Sequence, residues 1–271
     1  MKKVAIVIIC IVIAMILLGW VGLKVDPKSF PSFQAQTSVS RTVPLPGGLP
    51  APVERFYREL YGDSVPVIES AVISGRATMR LGGITFPGRF RFTHDAGRGY
   101  RHYIEVTLFC LPIMKINEHY LEGGARMELP FNVIENEPRV DQGANLALWG
   151  ESMWFPSLFV TNRRVRWEAM DDVTALLVVP FGEIEERFVV RFDPVAGMPR
   201  LMEAMRYKGE GSEDKTLWLN EISNWDILDG RKVFTVGTVT WFDEGKPWAV
   251  FRVEEIVYNA DVRNYIGARG P

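Results

Sequence analysis

From Gly62 onward, apolar side chains recur at every second position, and that period leaves few folds open to the chain. Ala71, Ile73, Ala77 and Met79 alternate with Ser70, Ser74, Arg76 and Arg80. Phe86, Phe90 and Phe92 alternate with Arg89 and Arg91, and Ile104, Val106 and Leu108 with Tyr103, Glu105 and Thr107. Further on, Ile184, Phe188, Val190 and Phe192 alternate with Glu183, Glu185, Arg187 and Arg191, and Phe251, Val253 and Val257 follow the same rule less cleanly. Successive side chains of a strand point to opposite faces, so each run presents one apolar and one solvated face. Turn signals stand between the runs: Gly82-Gly83, Asp95-Ala96-Gly97, Gly123-Gly124, Asp193-Pro194, Asp229-Gly230 and Asp243-Glu244-Gly245. Short turns between alternating runs predict a mainly β (α+β) fold, a large curved antiparallel sheet.

Such a sheet needs its apolar face covered, and two helices are expected to do it. The first runs from Pro52 to Tyr61, with Val53, Phe56, Tyr57 and Leu60 on one face and Gly62 as a stop. The second runs from about Gln142 to Trp154, capped by Asp141 and ended by Pro156, with Leu146, Trp149 and Met153 on one face.

The N-terminus is a different material. Lys2 and Lys3 precede twenty uncharged residues, Val4 to Leu23. As a helix they span ~30 Å, the thickness of a bilayer's hydrocarbon. Residues 1–23 are therefore expected to be a transmembrane anchor or an uncleaved signal, with Trp20 at its outer interface and no Ala-x-Ala cleavage site. Residues 24–49, with Pro27, Pro31, Pro44 and Pro46, read as a Pro/Ser-rich tether, and residues 50–271 as a single β-rich domain. The expected address is a single-pass cell-membrane protein with a cytoplasmic N-terminus and its main domain outside.

Charge narrows the partners. The chain carries 31 basic and 33 acidic side chains, which leaves no basic footprint for nucleic acid. Two cysteines make no disulfide framework or thiolate cluster, and three histidines argue against a multi-histidine metal site. No cofactor is expected. Cys110, alone in the domain, suits a buried position. Nucleophile elbow, phosphate-cradling loop, dinucleotide fingerprint and zinc-protease motif are all missing from the sequence, so no catalytic residue is assigned and turnover is not expected.

Several ionisable residues still invite a role. His102 shares a strand face with Ile104, Val106 and Leu108 and is expected to point inward, as a ligand contact or a core histidine. Glu118 and His119 fall on opposite faces of one strand, and His94, beside a turn, is expected in solvent. Glu186, Glu203 and Glu221 fall on nominally apolar faces; they converge with His102 as a general acid and base or a polar cavity, or they sit at edge positions or pair with arginines such as Arg187 and Arg206. The tryptophans outside the anchor exceed what a small two-layer core needs. With His102, the residues Trp149, Trp154, Trp225 and Trp241 are the candidate lining of an apolar cavity that takes a lipid or similar ligand; the alternative is that the tryptophans are the plain core beneath the curved sheet.

The stretches Leu49–Phe56, Glu151–Pro156, Val165–Trp167 with Asp171, Phe192 to Gly197, Ala204–Tyr207, the Trp241 strand and Glu255–Asn259 resemble an uncharacterised family of bacterial membrane-anchored proteins, a domain of unknown function. That resemblance carries no activity. The architecture is also similar to periplasmic lipoprotein carriers of the LolA type, whose curved sheet and helices enclose an apolar cavity; a shared fold transfers no residue's role. Three functions stand side by side: a membrane-anchored domain that binds a hydrophobic ligand without chemistry, a structural or protein-interaction module of the envelope, and an unrecognised hydrolase. The bilayer, through residues 4–23, is the expected partner besides the ligand.

Overall fold

A computed structural model describes residues 2–34 and 41–268; positions 35–40 of the expected tether lie outside it. Thirteen strands form one antiparallel sheet. Its first half is a meander: β3 (Ser70–Leu81), β4 (Ile84–Asp95), β5 (Gly99–Leu108), β6 (Leu111–Leu121), β7 (Gly124–Leu129) and β8 (Asn132–Glu135). The second half is another: β9 (Arg166–Asp171), β10 (Thr174–Phe181), β11 (Ile184–Phe192), β12 (Pro199–Arg206), β13 (Thr216–Leu228), β14 (Arg231–Trp241) and β15 (Pro247–Tyr258). The halves join where β15 pairs with β3, with Phe251 opposite Ala77 and Ile256 opposite Ile73. This leaves β8 and β9 as the two edges of an open sheet. A small separate ribbon pairs β1 (Thr42–Pro44) with β2 (Ser64–Pro66).

Helix α1 (Lys2–Gly22) contains the apolar run, and its aliphatic side chains from Val4 to Leu18 are exposed. By length and composition it is sufficient to cross a membrane. Helix α2 (Ala51–Tyr61) starts as expected, with proline in its first turn, and buries Val53, Phe56 and Tyr57. Helix α3 (Pro138–Glu151) begins four residues before the expected start. Pro138 fits the first turn, where no N–H is needed, and Glu137 is the capping residue. Asp141, the expected cap, instead accepts from the Ala125 N–H at 2.7 Å. A 3₁₀ turn over Ser152–Trp154 and two short helices, α4 (Leu158–Thr161) and α5 (Arg263–Ile266), complete the described elements.

The sheet's curvature follows from what α3 touches. It packs on β6 and β7 at one end of the strand order and on β10 and β12 at the other. Strands β7 and β10 are ten places apart, ~48 Å on a flat sheet, whereas a helix with its side chains is ~10–12 Å across. The sheet therefore curls around α3. Polar contacts hold both sides: Tyr120 donates to Asn145 at 3.1 Å, and Gln142 reaches Glu186, the Met205 carbonyl and the Tyr207 N–H. One large apolar core fills the concave side, from Phe56 and Phe90 to Phe192 and Trp241.

The segment after α1 lies along the outer face. Arg89 donates to the Lys28 carbonyl at 3.1 Å and stacks on Phe30, Arg91 donates to the Pro31 carbonyl, and Ser29 bonds Glu254. Cys110 is exposed rather than buried, because it sits in the β5–β6 turn at φ 63°, where its thiol donates to the Asp26 carbonyl at 3.2 Å.

Replacing Gln142 by leucine removes three hydrogen bonds, one of them to a carboxylate. A loss of about 2–4 kcal/mol in unfolding free energy, read by chemical denaturation, is expected if α3 clamps the two ends of the sheet.

Candidate functional site

Register on β4, β5 and β6 builds the site. Phe92, His102 and Glu118 stand in one cross-strand row, and His94, Tyr100 and Tyr120 in the next. All six project to the concave side, since residues two apart share a face. The tight turn between β4 and β5 brings the rows together. Gly97 holds φ 72° there, and a Cβ on Gly99 would lie 2.4 Å from the Tyr120 carbonyl. His102 is held between two rings, stacked on Tyr100 at 3.9 Å and against Phe92 at 4.1 Å.

Glu151 comes down onto these rows from the last residue of α3. A helix C-terminus disfavours a carboxylate, and here two imidazoles offset that. His102 Nε2 lies 2.6 Å and His94 Nε2 3.0 Å from the same Glu151 oxygen. On its other side, His102 Nδ1 faces Glu118 at 3.8 Å, and Glu118 accepts the Tyr100 hydroxyl. Arg206, at the end of β12, stacks on Trp218 at 4.4 Å, with Trp241 5.7 Å away.

Electrostatics divide the two histidines. Burial alone would depress His102, but the Glu151 and Glu118 carboxylates overcome it and hold the imidazole up at about 9. Burial alone would raise Glu151, yet His102 and His94 hold it down at about 2. For His94 burial wins, and its affinity for a proton falls. Burial likewise lowers Arg206, against the pull of Glu118, Tyr100 and Glu151.

Above this polar floor is a cleft of about 740 Å³, part of it open to solvent. His102, Glu118, Glu151 and Arg206 border it, with Phe92, Ile104, Trp154, Trp218, Phe234 and Phe251 among its walls. Of the expected lining, His102 and Trp154 are on the wall. Trp149 is buried away from it, donating to the Pro180 carbonyl at 3.2 Å; Trp225 packs on Phe56 and on the Phe234 wall without itself bordering the cleft; Trp241 faces Arg206 and Lys208.

The expected carboxylates do not converge. Glu186 accepts from Lys215 and Gln142, each at 2.9 Å, and Glu203 pairs with Arg191 on the outer face, where the register of β12 puts it. Neither pairs with Arg187 or Arg206. Glu221 borders the cleft but is exposed. His94, expected in solvent, is fully buried against Phe155. The alternation Phe90, Phe92, His94 carried that signal, because β4 continues to Asp95 before turning. Glu118 was legible in the same way, whereas Glu151 and Arg206 arrive from distant elements.

A family model of unknown function matches residues 40–253. The chain belongs to that family, DUF6544. No curated protein matches it in sequence. Among solved structures it is similar to a LolA superfamily protein from Nitrosomonas europaea, at 11% identity over 82% of this chain and 99% of that one, with TM-score 0.47. It is also similar to a DUF1329 family protein from Desulfovibrio piger, at 13% identity over 74% and 90% of the two chains, with TM-score 0.43. What the family member's site does is therefore read from its own residues.

The cluster sets a pH profile. Glu151 contributes stability that is complete above its unfolded value of 4.5 and is lost as pH falls through about 2. His94, depressed from 6.5, favours folding fully above 6.5 and less below it. His102 contributes fully below 6.5 and loses that contribution as pH rises through about 9. In chelator-treated protein, the melting temperature is expected to decline between pH 6.5 and 9 and that decline to shrink in His102→Gln; an unchanged alkaline limb in the variant contradicts the assignment.

Proposed function

We propose that this protein is a membrane-anchored domain whose cleft takes a hydrophobic, lipid-like ligand. The observation that carries the reading is the cleft: aromatic and aliphatic walls over a floor of charged groups. Such mixed lining suits an amphiphile, whose chain meets the aromatic and aliphatic walls and whose polar end meets the charged floor. Trp154, Trp218 and Trp248 give the cleft three indole walls.

The anchor reading rests on α1 and on what surrounds its end. The Gly22 carbonyl accepts the Phe109 N–H at 3.1 Å, placing the helix end against the β5–β6 turn. The β3–β4, β5–β6 and β7–β8 turns share one end of the meander, as antiparallel order requires. Ile84, Phe109, Leu111, Ile113, Phe131 and Val133 at or beside those turns are all exposed. Apolar tips beside a membrane-length helix fit a domain that rests on the bilayer it is tied to.

Native mass spectrometry of full-length protein released from bilayer discs tests the ligand. A lipid-sized adduct is expected on the wild type and its loss in Ile222→Trp, which fills the cleft at the cost of about 1–3 kcal/mol of stability. A wild type without adduct, or one whose adduct persists unchanged in the folded variant, overturns the reading.

A further inference from the structure

We propose that His94, His102 and Glu151 form a binding site for a divalent transition-metal ion, zinc by the chemistry of its ligands, with a fourth position facing the cleft. The inference stands apart from the lipid reading, since an ion can occupy the site whether or not a lipid enters above it.

Convergence is the first ground. One nitrogen from each histidine and one oxygen of Glu151 all lie within 4.8 Å of one another. They come from two adjacent register rows of the sheet and from the end of α3, so three separate pieces of backbone fix them.

The second ground is His94. It is fully buried, and neither ring nitrogen has a hydrogen-bond partner. Its Nε2 is 3.0 Å from Glu151 Oε2, a close contact without the alignment of a hydrogen bond, and its Nδ1 has no partner. A buried imidazole without an aligned hydrogen bond is costly, and a coordinated ion supplies a directed partner.

His102 supplies the third. Its Nδ1 faces Glu118, which Tyr100 steadies through its hydroxyl. A carboxylate behind the far nitrogen of an imidazole is the arrangement that orients a metal-ligating histidine, and it aims Nε2, which now meets Glu151 at 2.6 Å, at the place where the ion displaces the proton between them. The stacking of His102 on Tyr100 and Phe92 holds the ring in that plane.

Ligand chemistry selects the ion. Two imidazoles and one carboxylate suit zinc, while calcium and magnesium favour all-oxygen sites. Tetrahedral zinc at ~2.0–2.1 Å from each ligand spaces them about 3.3 Å apart. Glu151 Oε2, now 2.6 and 3.0 Å from the two nitrogens, has to retreat by less than 1 Å, and the two histidine nitrogens, within 4.8 Å of each other, have to close to that spacing. His102, Glu118 and Glu151 border the cleft, so the open position faces it and admits an oxygen donor.

The test is a zinc titration of full-length, chelator-stripped protein in detergent, followed by calorimetry. One saturable equivalent is expected, with a rise in melting temperature. Glu118→Gln weakens binding by about 10–100-fold, and His94→Gln and Glu151→Gln by at least as much. His119→Gln, on the opposite face of β6, binds like the wild type. Because a variant at a buried position can fail to fold, the wild type is also loaded with cobalt. Absorption bands of a four-coordinate site without a thiolate charge-transfer band support the assignment. No saturable binding by the wild type, a six-coordinate spectrum, or folded His94 and Glu151 variants that bind like the wild type each overturn it in favour of a metal-free histidine–carboxylate hydrogen-bond cluster.

Discussion

Helix α3 touches strands that stand ten places apart in the sheet order, and everything distinctive about the interior depends on that contact. A thirteen-stranded antiparallel sheet left to its own twist would present a broad apolar face to water. Curled around one helix, it encloses that face. The helix is fastened on both sides by polar groups: Asp141 on the Ala125 backbone and Asn145 on Tyr120 at the β6–β7 side, and Gln142 on Glu186 and the Met205 carbonyl at the other. Each bond is modest, but together they set the curvature, because a hydrogen bond tolerates far less misplacement than an apolar contact does.

The same helix ends on the polar cluster. Glu151 is its last residue, and its carboxylate is placed between two histidines that the meander carries on adjacent rows. Buried charges are stable only when paired, and the pairing here is mutual: the carboxylates hold a proton on His102, while the imidazoles keep Glu151 ionised. Arg206, stacked on Trp218, brings a further positive charge to a wall that is largely aromatic and aliphatic. An apolar cleft with a charged floor is thus a consequence of how the sheet closes on α3.

Much of this was legible in the residues. The period-two runs located most long strands, the glycine pairs located their turns, and Pro52 with Gly62 bracketed α2. Inward projection of His102 followed from its phase with Ile104 and Val106. His94 had the same phase evidence, through Phe90 and Phe92, but its nearness to a turn suggested solvent. What buries it is Phe155, which follows the 3₁₀ turn at the end of α3. The tryptophans show where pattern stops: Trp154 and Trp218 border the cleft while Trp149 and Trp225 are core, and nothing local separates the two pairs.

By itself, the sequence determined a membrane-length apolar helix, an antiparallel body with one apolar face, and the strand phase of each histidine, since all three follow from side-chain order along one segment. Tertiary structure alone decided that the sheet curls, that Glu151 meets His94 and His102, that Glu203 turns outward, and that the aromatic surplus divides between core and cleft. Those outcomes depend on which strands lie across from one another and on where α3 ends. No residue's immediate neighbours in the chain encode a contact made over such sequence distances.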